Sequence, residues 1–265
     1  MPCDVTEQGQ VTEFIEAVRH RFGNIDVLVN NAGIISVGPQ EEMTLADYEA
    51  AMKTNYWAAV YTTLAVLPQM QSRKAGRIVN ISSIGGKIAV PHMLPYSASK
   101  FALVGFSQGL RAEVKKDGVV VTTVVPGLMR TGSPRNADFK GRHREEHAWF
   151  TISDSSLLTS ISAESAARQI VNACKRGDGE VVLSVQAKLA VAFHALFPEV
   201  TTDLMSLVNR LLPEPGGIGK QSAKGYESES SLAPSWLTAL DEEAARENNQ
   251  MKEPEEKTDE SFRIM

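Results

Sequence analysis

The sequence predicts an α/β fold in which a doubly wound parallel sheet is covered by helices on both faces. Three observations point to it. Short apolar runs at residues 26–30, 77–82, 119–125 and 180–184 alternate with stretches of helical periodicity, the pattern of strand–helix–strand units. Three of the strands lead into small or polar residues, Gly33, Ser82–Ser83 and Pro126–Gly127, and open parallel sheets bind ligands at their carboxyl ends. The chain has 265 residues, 43% hydrophobic and 22% charged, enough to bury a core without disulfide or metal staples.

The elements follow in order. Val5-Thr6-Glu7 closes an extended start and opens a helix over 7–22, with Thr6 as its N-cap and Val11, Phe14, Ile15 and Val18 at helical spacing. Gly23-Asn24 stops it, and 26–30 reads as a short buried strand. Thr44 and Asp47 form a capping-box-like start to one long helix over 44–71. After the strand at 77–82, a helix spans 96–116 and ends at Asp117-Gly118. A β-branched strand at 119–125 closes on Pro126-Gly127. Residues 131–160 carry few periodic signals and read as a long connection of the kind that forms lids or substrate loops. A helix over 163–175 and a strand over 180–184 complete the pattern. Residues 186–240 read as a helical and irregular extension, and 241–265 as a disordered tail.

The formal charge of -5 sits in that tail. Residues 241–265 hold nine acids and four bases, leaving 23 of each in the rest of the chain. The balance argues against non-specific nucleic-acid binding. Cys3 and Cys174 cannot form a disulfide framework and suit no zinc site, so no metal is expected. The first residues lack a basic and an apolar signal region, and no run approaches the ~18 apolar residues of a membrane span. A cytoplasmic protein is expected, with peripheral membrane contact through the apolar stretch 187–197 the lesser alternative.

Chemistry concentrates in four places. Asn30-Asn31-Ala32-Gly33 ends the first strand, Asn55 lies inside the long helix, and Ser83 ends the second strand ahead of Tyr96-Ser-Ala-Ser-Lys100. Pro126-Gly127 then precedes Thr131. Tyr96 and Lys100 are one helical turn apart and share a face. A free tyrosine titrates near 10, too high for acid–base work at neutral pH, and a nearby ammonium favours the phenolate. Ser83 can hydrogen-bond a carbonyl oxygen where charge develops.

These motifs together, NNAG, ISS followed by YSASK, and PG followed by Thr131, resemble the short-chain dehydrogenase/reductase family over roughly residues 4–185. The resemblance implies a Rossmann-type sheet and an NAD(P)-dependent oxidoreductase that moves hydride between the nicotinamide and a carbonyl or secondary alcohol. It implies that Tyr96 is the general acid or base, that Lys100 lowers its pKa and binds the nicotinamide ribose, and that Ser83 polarises the substrate oxygen. Asn55 would hold a proton-relay water. Asn31, Ala32 and Gly33 would pack along the cofactor, Pro126, Gly127 and Thr131 would flank the nicotinamide, and Asp4 and Val5 would meet the adenine. NADP is favoured over NAD, and a homo-oligomer is expected through the helices at 44–71 and 96–116.

One family feature has no counterpart ahead of Asn30: the glycine-rich turn that cradles the pyrophosphate at a helix N-terminus. Two strand–helix units, about 60 residues, would precede Met1, so the fold expected is an N-terminally truncated one with a helical C-terminal extension. The strand at 26–30 would then be an open apolar edge. The alternative function is accordingly an inactive fragment or an interaction module. The glycine cluster at 215–220 lacks the strand and spacing of a phosphate loop and reads as an ordinary turn. His92 and His143 read as surface histidines, and Arg130, Arg135, Arg142 and Arg144 as solvated charge rather than anion ligands. Trp149 and Phe150 either cap the substrate or simply pack the loop they sit in.

Overall fold

The computed structural model describes residues 1–155, 160–230 and 243–248. Helix α1 (Gln8–Phe22) buries Val11 and Ile15 and ends at Gly23, whose φ of 84° only glycine adopts easily. Thr6 is not its cap. The Thr6 amide and hydroxyl both donate to Asp4 Oδ1, at 2.9 and 2.8 Å, so an Asp4-headed turn leads into the helix and Glu7 takes the N-cap position.

Strand β1 (Val27–Asn30) is followed by a two-residue strand β2 (Ser36–Val37). The helix expected over 44–71 divides in three. Helix α2 (Leu45–Met52) begins with the expected capping box, Asp47 Oδ2 accepting from the Thr44 amide at 2.6 Å and hydroxyl at 2.8 Å. A π-turn over Lys53–Trp57 then leads into α3 (Ala58–Arg73). Next come β3 (Gly76–Ile81), α4 (Leu94–Val114), β4 (Val119–Pro126) and β5 (Leu128–Arg130).

The segment 131–160 is more ordered than its sequence suggests. It contains β6 (Asp138–Phe139), helix α5 (His143–Ser155) and the start of β7 (Ser160–Ser162), while residues 156–159 lie outside the described residues. Glu146, His147, Thr151, Asp154 and Ser155 of α5 are all buried. A helix whose inner face is polar lacks the apolar period that announces helices in a sequence.

Helix α6 (Ala163–Arg176), strand β8 (Glu180–Leu183), and helices α7 (Val185–Leu196) and α8 (Pro198–Asn209) follow. The chain then returns to the 131–141 region. Strand β9 (Ala223–Lys224) pairs antiparallel with β6, the Gly225 amide donates to Ala137 O, and the Gly141 amide donates to Gly219 O. The glycine cluster thus lies in a packing loop. Residues 243–248 form a helical turn with Ala244 and Ala245 buried, and the rest of the predicted tail lies outside the described residues.

Among the described residues the main sheet has the order β1-β3-β4-β8, all parallel. Alternate residues of one strand face opposite layers. Ile78 joins Val11, Ile15, Val66, Met70, Val114 and Val121 beneath α1, α3 and α4. Its neighbour Val79 joins Val124, Ala166 and Leu183 against α6 on the other face. Strand β1, whose composition reads as a buried strand and whose place in the family pattern reads as an open apolar edge, has Val27 and Val29 47% and 51% exposed. β1 is the outermost strand of the described sheet.

Candidate active site

The carboxyl ends of β1, β3 and β4 open on one side of the sheet, and three adjoining hollows follow them. The first, about 350 Å³, is lined by Val5, Asn31, Ala32 and Asn55 among others. The second, about 520 Å³, is lined by Asn31, Gly33, Tyr96, Lys100 and Thr131. The third, about 380 Å³, takes Ser83, Tyr96, Pro126, Gly127 and Thr131. The predicted residues therefore gather along one cleft, with Asn31 shared by the first two hollows and Tyr96 and Thr131 by the last two. Asp4 lines none of the three. Its carboxylate is held by Thr6, whose hydrogen bonds keep it below the usual range.

Asn55 sits in the π-turn, 1% exposed. Its Oδ1 accepts from the Ile34 amide at 2.8 Å, and its Nδ2 donates to Ile34 O at 3.1 Å and Ser99 Oγ at 2.9 Å. The side chain thereby ties the loop after β1 to α4. With both amide hydrogens committed, it offers a relay water an acceptor only. The Ser99 hydroxyl donates in turn to Tyr96 O at 2.7 Å.

In this cleft Lys100 is buried and Tyr96 partly buried. The Lys100 ammonium donates to Ile81 O at 3.1 Å and stands 5.7 Å from the centre of the Tyr96 ring. The backbone of Lys100 is fixed as well, since Ser82 Oγ donates to its carbonyl at 3.0 Å. Burial lowers the Lys100 pKa to about 8. Burial pushes the Tyr96 phenol up to about 12, against the downward pull of its hydrogen bond with Ser83, and the Asp154 carboxylate raises it further. The net direction is upward because burial outweighs the hydrogen bond with Ser83.

Two glycines keep the cleft open. A Cβ at Gly33 would come 2.9 Å from Asn55 Oδ1 and 3.5 Å from Lys100 Nζ, and one at Gly127 would meet Ala187 Cβ at 3.1 Å and Ser184 Oγ at 3.2 Å. Gly33 thus leaves the buried ammonium open to the second hollow. The donor set suits the nicotinamide half of a dinucleotide: a buried ammonium, the Thr131 hydroxyl and a tyrosine at the floor. The residues lining the three hollows include no other basic side chain to meet a pyrophosphate.

Sequence reasoning missed several wall residues. Ile35, Met93, Met129 and Asp154 line the third hollow together with Trp149 and Phe150, which do face it. Behind them lies a buried cluster. Glu146 Oε1 meets His92 Nδ1 at 2.7 Å, and Glu146 Oε2 accepts from the Trp149 indole at 2.7 Å. The His92 and Glu146 side chains are 6% and 0% exposed. His92 is therefore not a surface histidine, and its φ of 61° marks a turn fixed by this contact. His143 is partly buried against Ser228 Oγ at 2.9 Å. Arg130 donates to Ser160 O and Oγ, and Arg135 pairs with Glu229. A buried carboxylate between a histidine and an indole leaves no spacing signal, since the partners are 54 and 3 residues away.

Comparison with known proteins gives a consistent picture. Residues 1–140 match the family model described as short chain dehydrogenase. A dehydrogenase/reductase SDR family protein 7-like of Anopheles gambiae is 37% identical over 202 residues, which are 76% of this chain and 62% of that protein. The chain therefore spans less than two thirds of that relative's length. A short-chain dehydrogenase from Streptomyces avermitilis superposes with a TM-score of 0.68 at 29% identity, over 79% of each chain. A gluconate 5-dehydrogenase from Burkholderia cenocepacia, solved with NADP and tartrate, superposes with a TM-score of 0.60 at 25% identity, over 70% of this chain and 73% of its own.

Proposed function

The chain belongs to the short-chain dehydrogenase/reductase family, and from that premise we propose that it interconverts a carbonyl compound and a secondary alcohol with NAD(P), using Tyr96 as general acid and base. The observation that carries this reading is the place of Tyr96. It lines both the hollow that offers Lys100 and the hollow that offers Ser83, so one phenol stands between a cofactor side and a substrate side. When bound, the cofactor supplies or accepts the hydride. The residues of the chain handle the oxygen. Ser83 holds the carbonyl oxygen by a hydrogen bond, Tyr96 gives that oxygen a proton in reduction, and it takes the proton back in oxidation. The Lys100 ammonium binds the ribose. Asn55 fixes the loop and helix that carry these groups, acting as a positioning residue.

NADP is the cofactor proposed, supported by its presence in the Burkholderia neighbour. A homo-oligomer is proposed through α3 and α4, supported by Trp57, Leu64 and Phe101 at 43%, 56% and 43% exposure. The direct test is turnover of a carbonyl panel, followed by the ultraviolet absorbance of reduced nicotinamide, in the parent and in Tyr96→Phe. Loss of at least about a hundredfold in kcat is expected, the size of a general acid–base contribution. Equal turnover by the two proteins would remove Tyr96 from the chemistry.

A second reading, an interaction module, is favoured by one observation. Strand β1 presents Val27 and Val29 to solvent at the sheet edge. Strand addition there would be lost on Val27→Lys, whereas turnover would not.

A further inference from the structure

The third hollow carries information about the substrate that the acid–base residues do not. Its wall is largely apolar, built from Ile35, Met93, Met129, Trp149 and Phe150. Among the described residues that line it none is a lysine, arginine or histidine, and the one carboxylate is Asp154. Asp154 is 5% exposed, so it is buried with the wall. An anionic substituent brought here would lose its water, meet no counter-charge from the wall, and approach a carboxylate. An uncharged substituent pays neither penalty, and an ammonium would be drawn to Asp154.

We propose that this hollow takes an uncharged, largely apolar ketone, aldehyde or secondary alcohol, tolerates an amine on the same skeleton, and turns away a carboxylate or phosphate, with Asp154 as the specificity-determining residue. The inference rests on the proposed hydride transfer at Tyr96, because that places the reacting oxygen at the mouth of this hollow. A volume of about 380 Å³ is that of a pocket for a drug-sized organic molecule rather than for a two- or three-carbon compound.

The test uses one skeleton in three charge states: methyl 4-acetylbenzoate, 4-acetylbenzoate and 4-(aminomethyl)acetophenone. Binding is measured by calorimetry in the presence of NADP, and reduction by kcat/KM with NADPH. The ester is expected to bind and react at least about tenfold better than the carboxylate, with the amine at or above the ester, the scale on which like charges discriminate partners. In Asp154→Asn the ratio of ester to carboxylate falls toward one. In Asp154→Glu it persists, and because each ratio is taken within a single protein, a partial loss of folded material does not alter it.

Equal handling of ester and carboxylate by the parent, an unchanged ratio in Asp154→Asn, or an ester that fails to bind would each overturn the inference. Preferential binding of the ester without any reduction would instead sink the hydride-transfer reading and leave the charge selection standing.

Discussion

Tyr96 and Lys100 sit in an environment that works against the charge each needs. Burial raises the phenol to about 12 and lowers the ammonium to about 8, so in this structure the lysine gives up its proton first. The titration that falls in the working range is therefore that of Lys100. Below about 8 the ammonium is intact and available to a ribose hydroxyl, and above it the cation is lost. NADP affinity measured by calorimetry across pH is expected to fall above about 8 in the parent and to stay level in Lys100→Arg, whose guanidinium keeps its proton. Asp154 contributes to the upward push on Tyr96, so Asp154→Asn lowers the phenol pKa. The rise of the oxidation rate with pH should then move to lower pH in that variant, read from kcat/KM for an uncharged alcohol. Glu146 has a different part. It is completely buried and holds both His92 and the indole of Trp149, so Glu146→Ala leaves two buried polar partners unmatched. Urea unfolding is expected to show a loss of about 3–5 kcal/mol, the usual cost of removing one member of a buried pair.

At the scale of elements, the site depends on how strands and helices are tied where their side chains are polar. A buried ladder crosses the sheet beneath the cleft: Asn30 Nδ2 donates to Asn80 Oδ1 at 2.8 Å, Asn80 Nδ2 to Ser107 Oγ at 2.9 Å, and Thr123 Oγ1 to Ser107 Oγ at 2.7 Å. It links β1, β3, α4 and β4 in one layer, so Asn80→Ala should cost about 1–3 kcal/mol in chemical denaturation, the price of leaving such groups unsatisfied. None of these contacts is visible along the chain, because each joins residues separated by at least 16 positions. The strand ends were readable for the opposite reason: NNAG, ISS, YSASK and PG are local, and local spacing decides turns and helix faces. The π-turn at Lys53–Trp57 was not readable, since apolar residues continue through it and the helix resumes. Helix α5 was hidden by its polar inner face. The exposure of β1 was legible from its place in the family pattern and not from its composition, because a Val-rich strand reads as buried and its neighbours decide whether it is.

At the scale of the whole molecule, apolar surface left over by the fold limits how the chain can associate. Two patches compete. One is on α3 and α4, where Leu64 and Phe101 are exposed and Trp57 stacks on Tyr61 at 6.0 Å. The other is on α7 and α8, where Leu189, Phe193, Leu204 and Leu207 are 43% to 67% exposed. The first lies on α4, which presents Tyr96 and Lys100, and on α3, which continues from the π-turn that holds Asn55, so association there would stiffen the elements that carry the site. The second lies on the extension, which approaches the cleft at Gly127 through Ala187. Burying a leucine contributes about 1.5–3 kcal/mol, and a charge in its place reverses the sign. If α3 and α4 form the interface, Leu64→Glu converts the protein to single chains by light scattering while Leu204→Glu leaves its mass unchanged, and the parent's NADP affinity exceeds that of Leu64→Glu. The reverse pattern, with mass halved by Leu204→Glu alone, would move the interface to the extension and separate oligomerisation from the site.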